Sequence, residues 1–340
     1  MSVETMAEEM KIQNEAAVTP SWILKKLSEI DPAQWVGQIW RNVGIPCLSI
    51  GIFLLLWAQT SSNIVTSLGT LPGPVQVFAE MQGLLSDHIV QGEQKDAFNA
   101  RQEERNAKLL AADPNAKIIW REYTGKPTYV DQIFTSLKTV FMGFFLATIV
   151  AVPLGIICGL SPAANAAFNP MIQIFRPVSP LAWLPIVTML VSALYVSEDP
   201  MFQKSFITSA ITVTLCSLWP TLINTSVGVA SIDKDLLNVG KVLRLKWHTQ
   251  LVKLVLPSAL PFIFTGMRLS LGVGWMVLIA AEMLAQNPGL GKFVWDEFQN
   301  GSSHSLGRIM VAVFTIGIIG FLLDRMMGKL QSLVTFSDKR

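Results

Sequence analysis

The sequence is poor in charged residues, in cysteine and in histidine. Only 15% of its 340 residues are charged, whereas soluble domains carry about a quarter, so there are too few water-facing side chains for a soluble globular enzyme. The 26 Lys and Arg against 24 Asp and Glu leave a net charge of +2, which gives no reason to expect nucleic acid as a partner. The three cysteines, Cys47, Cys158 and Cys216, lie scattered in apolar runs, and we interpret them as packing residues.

The motifs of nucleotide binding and hydrolytic catalysis are also missing. The sequence contains no G-x-x-x-x-G-K-[ST], H-E-x-x-H, C-x-x-C or G-x-S-x-G string, and therefore it predicts no enzyme activity of its own. Its three histidines share no ligand spacing with a cysteine or a carboxylate, which predicts that this chain binds no metal and no cofactor. We expect a conduit that takes its energy from an ion gradient or from another subunit.

What the sequence does contain is long apolar runs. Apolar residues make up 51% of the chain, and a bilayer core about 30 Å thick is crossed by about 20 mostly apolar helical residues. Six stretches are interpreted as such helices: Val43–Ala58, Ile133–Leu160, Met171–Val196, Phe206–Val229, Ala259–Ala285 and Ile309–Met327. The predicted fold class is an all-α membrane protein with six transmembrane helices, surrounded by membrane lipid.

The basic residues predict the orientation of these helices. The loop between the fourth and fifth spans holds five cations: Lys234, Lys241, Arg244, Lys246 and Lys253. Both ends of the chain carry further lysines and arginines. Because six spans put this loop and both termini on one side, the positive-inside rule places all three in the cytoplasm.

The spans divide the chain into five parts. Residues 1–42 are predicted as a cytoplasmic segment with an amphipathic helix, 43–60 as the first membrane helix, 61–132 as a periplasmic cap, 133–330 as a core of five membrane helices with a cytoplasmic loop at 231–257, and 331–340 as a cytoplasmic tail. The cap is predicted to be mostly helical, with one helix over Val75–Leu85 and a second, charged one over Lys95–Ala112. The low apolar content of the cap predicts that it lies on the outer face of the membrane helices and has no large hydrophobic core of its own.

The cytoplasmic loop is predicted to contain two short helices. The first runs from Asp235 to Arg244 and begins next to Asp233, where carboxylates suit the helix dipole. Its apolar positions fall on one face: Leu236, Val239, Val242 and Leu243. The second helix is predicted to end at Leu256-Pro257. Taken alone, this pattern is that of an amphipathic helix at the membrane interface.

The same loop resembles the signature loop of binding-protein-dependent ABC importer permeases. That pattern is E-A-A, three residues, Gly, nine residues, an apolar residue, one residue, then Leu-Pro. Here Asn238-Val239-Gly240 stands at the E-A-A, Arg244 at the Gly and Leu256-Pro257 at the end, so the spacing fits while the Glu and the Gly are replaced.

Other segments are similar to one branch of that family. Residues 136–159, 176–185 and 263–284 resemble nitrate, taurine, sulfonate and bicarbonate permeases. Residues 217–228, the Asn-Val-Gly-Lys-Val-Leu-Arg-Leu form of the loop and residues 293–296 narrow the resemblance to nitrate permeases and their bicarbonate relatives. The resemblance covers Leu71 to Met327, most of the chain.

The resemblance implies a type I ABC importer permease fold, a location in a bacterial inner membrane and a division of labour. Two copies of the chain would form the pathway, two cytoplasmic ABC ATPase subunits would bind and hydrolyse ATP with Mg, and a periplasmic anion-binding protein would deliver the substrate. The implied cargo is nitrate or nitrite, with bicarbonate and taurine or other sulfonates as alternatives. The loop would couple ATP-driven movement of the ATPases to alternating access, and its implied coupling residues are Asp235, Asn238, Val239, Gly240, Lys241, Arg244, Leu256 and Pro257.

Charged residues at membrane depth are the remaining candidates, because each is costly unless it faces a cavity or a partner. Arg176, in a proline-rich run predicted to unwind the third span, and Arg268 on the fifth are candidates for anion passage. For both, snorkelling or pairing with a carboxylate is the alternative. Glu282 would repel an anion and is interpreted as a structural or gating residue, and Trp183 is a candidate lining residue with packing or an interfacial belt as its alternative.

Two other classes of function stay open. A gradient-driven carrier or channel would also lack nucleotide-binding motifs, but carriers commonly contain two related repeats, and the first and last three spans show no such repeat. A membrane enzyme would need an acid–base or metal cluster at membrane depth, which the spans do not contain.

Overall fold

The computed structural model describes residues 37–38, 40–66, 69–113, 118–196 and 201–334. The chain divides into two units, Met1–Ile64 and Val65–Arg340. In the first, a π-helical turn, Trp40–Gly44, leads into helix α1, Ile45–Ser61. This helix confirms the first predicted span, whereas the amphipathic helix predicted within residues 1–42 lies almost wholly outside the described residues.

The second unit is nearly all helical. It starts with two short antiparallel strands, β1 (Val65–Thr66) and β2 (Gly69–Thr70). Its helices are α2 Pro74–Ala112, α3 Tyr129–Leu160, α4 Pro162–Phe175, α5 Pro180–Leu194, α6 Lys204–Ala230, α7 Lys234–Val242, α8 Trp247–Gln250, α9 Leu256–Ala285, α10 Leu290–Asn300 and α11 Ser305–Val334. A π-helical turn, Leu251–Val255, joins α8 to α9. Within the described residues of the whole chain, five helices are long and apolar enough to cross a membrane, and six if the bent pair α4–α5 is one span.

Helices α3 and α6 pack closely along a row of small residues. In α3 a small residue recurs at every fourth position: Gly143, Ala147, Ala151, Gly155 and Gly159. This spacing puts them on one helix face, as at other close contacts between membrane helices. A Cβ added to Gly143 would contact Val213, one added to Gly155 Thr225, and one added to Gly159 Val229. Because the contacts advance in the same direction along both helices, α3 and α6 run parallel.

This parallel packing decides how the third span is counted. Because α3 and α6 are parallel, α3 finishes at one end of the bundle and α6 begins at the other. The segment between them therefore has to cross the bundle once, and α4 and α5 together make this crossing. The prediction of one helix over Met171–Val196 is wrong, because α4 and α5 meet at 100°. The predicted unwinding at Arg176 is confirmed. Pro177 and Pro180 explain it, since proline disfavours helical backbone before it and donates no hydrogen bond.

Two other helices are longer than predicted. The cap forms the single helix α2 where two helices were expected, because no proline lies between Leu85 and Lys95, and Gly92 meets no packing obstacle. The helix after the loop also does not end at Leu256-Pro257 but continues into α9. In a regular helix the ring of Pro257 would clash with the backbone of the preceding turn. The π-helical turn just before Pro257 relieves this clash.

The remaining long helices complete an alternating bundle. Gly228 of α6 faces Phe262 of α9, while Val213 faces Gly274, so α6 and α9 run antiparallel. The Trp275 indole N–H donates to the backbone oxygen of Ile316 at 3.0 Å and fixes α9 to α11. The loop helix α7 therefore lies at the end of the bundle where α6 finishes and α9 begins.

Candidate functional site

Helix α7 is fixed at both of its ends. The Asp233 carboxylate accepts the backbone N–H of Asp235 at 3.0 Å, and both carboxylates lie at the positive end of the helix dipole, as predicted. Near the other end, Gly240 allows close approach to the following segment, since an added Cβ would lie 3.0 Å from Leu254 Cδ1. Leu256 packs in the apolar cluster below. The loop is thus a folded helix with a defined position.

Arg244 ends α7 in a conformation that favours glycine. Its φ angle is 48°, in the left-handed region. The Leu245 N–H donates to the Gly240 carbonyl at 3.0 Å and the Arg244 N–H to the Lys241 carbonyl at 3.0 Å, the hydrogen-bond pattern of a Schellman motif. Glycine adopts this conformation without steric cost, which gives a physical reason for the glycine in the signature pattern.

The substitution Arg244→Gly is expected to stabilise the purified permease by about 1 kcal/mol, because it relieves the left-handed strain. The matched control Lys241→Gly, in the interior of the same helix, is expected to destabilise it by about 1 kcal/mol. Denaturant unfolding in detergent measures both free energies. A destabilisation by Arg244→Gly as large as that by the control would contradict the strain argument.

The outward side of α7 carries an exposed apolar surface, the α7 patch, formed by Val239, Val242 and Leu243. The sequence placed Leu236 on the same apolar face. In the structure Leu236 instead packs inward against the buried cluster around Val229, so the face is divided between the core and the surface. An exposed apolar patch next to charged residues is typical of a contact site for another molecule.

Arg176 lies at the break between α4 and α5. It is exposed and lines a cavity of about 760 Å³, together with Asn165, Asn169, Gln173 and Ser226. Among the described residues, no carboxylate lines this cavity. In the part of the chain that the structure describes, no Asp or Glu oxygen lies within 4.0 Å of the Arg176 guanidinium. Its charge is therefore available to a ligand.

Trp183 packs behind this break. Its ring lies 5.8 Å from the ring of Phe175, which in turn stacks on Trp219 at 6.3 Å between centroids. Trp183 is half-buried and is not among the residues that line the cavity of Arg176. The geometry favours the packing alternative for this residue.

Glu282 is fully buried in the last turn of α9. The Ser136 hydroxyl lies 2.8 Å from Oε2 and 2.9 Å from Oε1, and the Gly291 N–H donates to Oε2 at 2.9 Å. Gly289 leaves the space that the carboxylate occupies, because an added Cβ would lie 2.1 Å from Oε1. The carboxylate ties α3, α9 and α10 together, which favours its structural interpretation over a role in the path.

Arg268 forms a two-pronged ion pair with Asp324 of α11. The distances are 2.5 Å from Nε to Oδ1 and 2.6 Å from Nη2 to Oδ2. A pair of this geometry holds the guanidinium plane in place. Of the alternatives given for Arg268, the structure therefore contains the pairing with a carboxylate. Asp324 neutralises the charge of Arg268 in this state.

Asp324→Ala is expected to lower the unfolding temperature in detergent or lipid by several degrees, because it leaves Arg268 unpaired in a membrane helix. The double variant Arg268→Leu/Asp324→Leu removes both charges and is expected to recover most of the loss. An Asp324→Ala protein that unfolds at the wild-type temperature would show that the pair is not needed.

The sequence interpretation did not include some residues that the structure places beside the candidate residues. Asp324 was visible as an acid inside the sixth apolar run, and Asn165, Asn169 and Gln173 as polar residues at four-residue spacing in an apolar helix. Ser136 carried no signal, because it lies 146 positions from Glu282. Over the described ranges, no three His, Cys, Asp or Glu side chains come together as a metal site would need.

The comparisons with known proteins identify the family of this chain. The family described as "Binding-protein-dependent transport system inner membrane component" matches residues 151–335. The chain is 38% identical over 209 residues to the nitrate import permease protein NrtB of Synechocystis sp., covering 62% of this chain and 71% of NrtB. It is 34% identical over 297 residues to the bicarbonate transport system permease protein CmpB of Synechococcus elongatus, covering 86% of this chain and 91% of CmpB.

A solved structure supports the fold. A chain of the MetNI methionine ABC transporter in an inward-facing conformation matches with a TM-score of 0.53 at 13% identity, covering 61% of this chain and 95% of that one. This confirms the predicted type I importer permease fold. The chain therefore belongs to the inner membrane components of binding-protein-dependent transport systems, in the nitrate and bicarbonate branch of the ABC permeases.

Proposed function

We propose that this chain is the membrane subunit of an ATP-driven importer that moves nitrate from the periplasm to the cytoplasm by alternating access. The similarity to the nitrate import permease NrtB, at 38% identity, carries the proposal. The guanidinium of Arg176, which has no carboxylate partner among the described residues, adds the electropositive character that an anion path requires. Nitrite, with similar charge and size, belongs to the same proposal.

Bicarbonate is the second candidate. The alignment with the bicarbonate permease CmpB extends over 86% of this chain, further than the alignment with NrtB. Both cargoes are small planar oxyanions, so the same donors suit either. Taurine and other sulfonates, which the sequence resemblance also left open, are larger and remain alternatives of the same class.

The assembly that we propose contains two copies of this chain, two ABC ATPase subunits that bind ATP and Mg, and a periplasmic anion-binding protein. The family works with such partners. The α7 patch, with Lys241 beside it, offers the ATPase an apolar contact and a positive charge. With α7 on the cytoplasmic side, both termini are cytoplasmic, in agreement with the positive-inside rule.

The cargo is tested with the complex reconstituted in proteoliposomes, with ATP on the ATPase side and the anion-binding protein on the other. Uptake of labelled nitrate is expected, and unlabelled nitrate and nitrite are expected to compete better than bicarbonate or taurine. Strong competition by bicarbonate alone would transfer the assignment to bicarbonate.

The class of transporter is tested in the same vesicles. Uptake is expected to require ATP and to persist when an ionophore removes the ion gradients. Uptake by the permease alone, driven by a gradient and unaffected by ATP, would instead identify a secondary carrier or channel.

A further inference from the structure

The cavity beside Arg176 has a composition that is unusual for a membrane protein surface. Three amide side chains, Asn165, Asn169 and Gln173, line it from α4. Their four-residue spacing puts them on one helix face, and Arg176 extends this row at the break. The other residues of α4 are all apolar, so the row forms a polar stripe on an apolar helix.

The position of the cavity relates it to α7. Its α6 wall runs from Leu222 to Ala230, the last residue of α6. Eight residues of helix correspond to about 12 Å, so the cavity reaches about 12 Å into the bundle from the end that carries α7. This is the end from which an imported anion would leave.

The charges of the lining favour an anion. The described residues of the lining supply one guanidinium, amide groups and the Ser226 hydroxyl, and no carboxylate. A planar guanidinium matches the planar oxygens of a small oxyanion, and amide N–H groups add neutral donors. Helix α5 begins at Pro180, directly after the break, so the positive end of its dipole lies close in sequence to Arg176.

Arg268, a second arginine at membrane depth, makes an instructive contrast. Arg268 is held by Asp324 at 2.5 Å and 2.6 Å, so an anion would have to compete with a carboxylate for it. Arg176 has no such competitor within the described residues. Of the two, Arg176 is the one whose surroundings suit anion binding.

We propose that this cavity is an oxyanion vestibule at the α7 end of the permease, in which Arg176 and the amide row hold the anion before its release. The proposal rests on the proposed function for the direction of transport. A volume of about 760 Å³ holds a small oxyanion with part of its hydration shell, so the site binds weakly and releases quickly, as an exit station requires.

The test uses a cysteine reporter in the complex of the permease with its ATPases in nanodiscs. Val227 lines the cavity and is exposed, and Val227→Cys is introduced after Cys47, Cys158 and Cys216 are replaced by serine or alanine. The rate at which an anionic methanethiosulfonate reagent modifies the reporter is measured with and without nitrate, with gluconate at equal ionic strength as reference. Nitrate is expected to slow the modification.

Arg176→Gln is expected to reduce the modification rate about tenfold and to remove protection by nitrate, because a charge-assisted hydrogen bond is lost. Arg176→Lys keeps the charge and is expected to retain part of the modification rate and part of the protection by nitrate. The control is Arg325→Gln, an exposed arginine of α11 that lies over the Phe321 ring outside the cavity; it is expected to change neither. A cationic reagent shows that the reporter stays accessible in every variant.

Three outcomes would overturn the vestibule. If nitrate still protects the reporter in Arg176→Gln, the arginine is not part of the site. If nitrate does not protect the reporter in the parent protein, the cavity is not an anion site. A reporter that reacts with neither reagent and forms a disulfide between two permease copies would show that a second copy fills the cavity. If nitrate protects the reporter but the complex shows no ATP-driven nitrate uptake, the vestibule proposal stands and the proposed function is overturned.

Discussion

Val242→Asp is expected to detach the ATPase subunits from the permease and to abolish ATP-driven uptake. Val242 is 81% exposed at the end of α7, so the substitution costs the fold of the isolated permease little. In the complex it would place a carboxylate in an apolar contact. A central contact residue of this kind is worth about 2 kcal/mol or more, which corresponds to about thirtyfold weaker association.

Val196→Asp provides the matched control. Val196 is 78% exposed and follows α5 at the opposite end of the bundle from α7. The same change there is expected to leave the association with the ATPase intact. Co-purification of the ATPase, its stimulation by the permease and the unfolding temperature of the permease alone are compared for both variants. Normal co-purification and stimulation in Val242→Asp would show that the α7 patch is not the ATPase contact.

Gly155→Val is expected to prevent the permease core from folding. A Cβ at Gly155 would lie 2.6 Å from Thr225 Cβ and 2.8 Å from the backbone oxygen of Leu222, and a carbonyl of a packed helix cannot turn away. Even Gly155→Ala therefore has to push α3 and α6 apart, at a cost of about 1–3 kcal/mol for one added methyl group. Valine adds two more carbon atoms to the same contact.

Gly272→Val tests whether this effect comes from packing or from valine in a membrane helix. Gly272 lies in α9, and a Cβ there would have no neighbour within 4 Å in the part of the chain that the structure describes. The yield of monodisperse protein in size-exclusion chromatography is expected to fall below detection for Gly155→Val, to fall partly for Gly155→Ala and to stay near wild type for Gly272→Val. Equal losses for both valine variants would contradict the packing argument.

The local features of this protein were predictable because short stretches of sequence determine them. Apolar length identified the long helices, Asp233 identified the start of α7, and the prolines around Arg176 identified the break. The resemblance of the loop identified the family that the comparisons then confirmed. The sequence predicts two helices in place of α2 because residues 86–94 are mostly polar and include Gly92, whereas the segment contains no proline and the helix continues through it.

The sequence by itself determined that this is a membrane permease with a helical loop at 231–257, because hydropathy, charge and motif spacing are properties of neighbouring residues. Only the tertiary structure decided which charges are free. Glu282 meets Ser136 across 146 residues and Arg268 meets Asp324 across 56, and such pairs form only when helices pack. The packing of the small residues of α3 on α6 makes α4–α5 one broken span, and at its break Arg176 has no carboxylate partner among the residues that the structure describes.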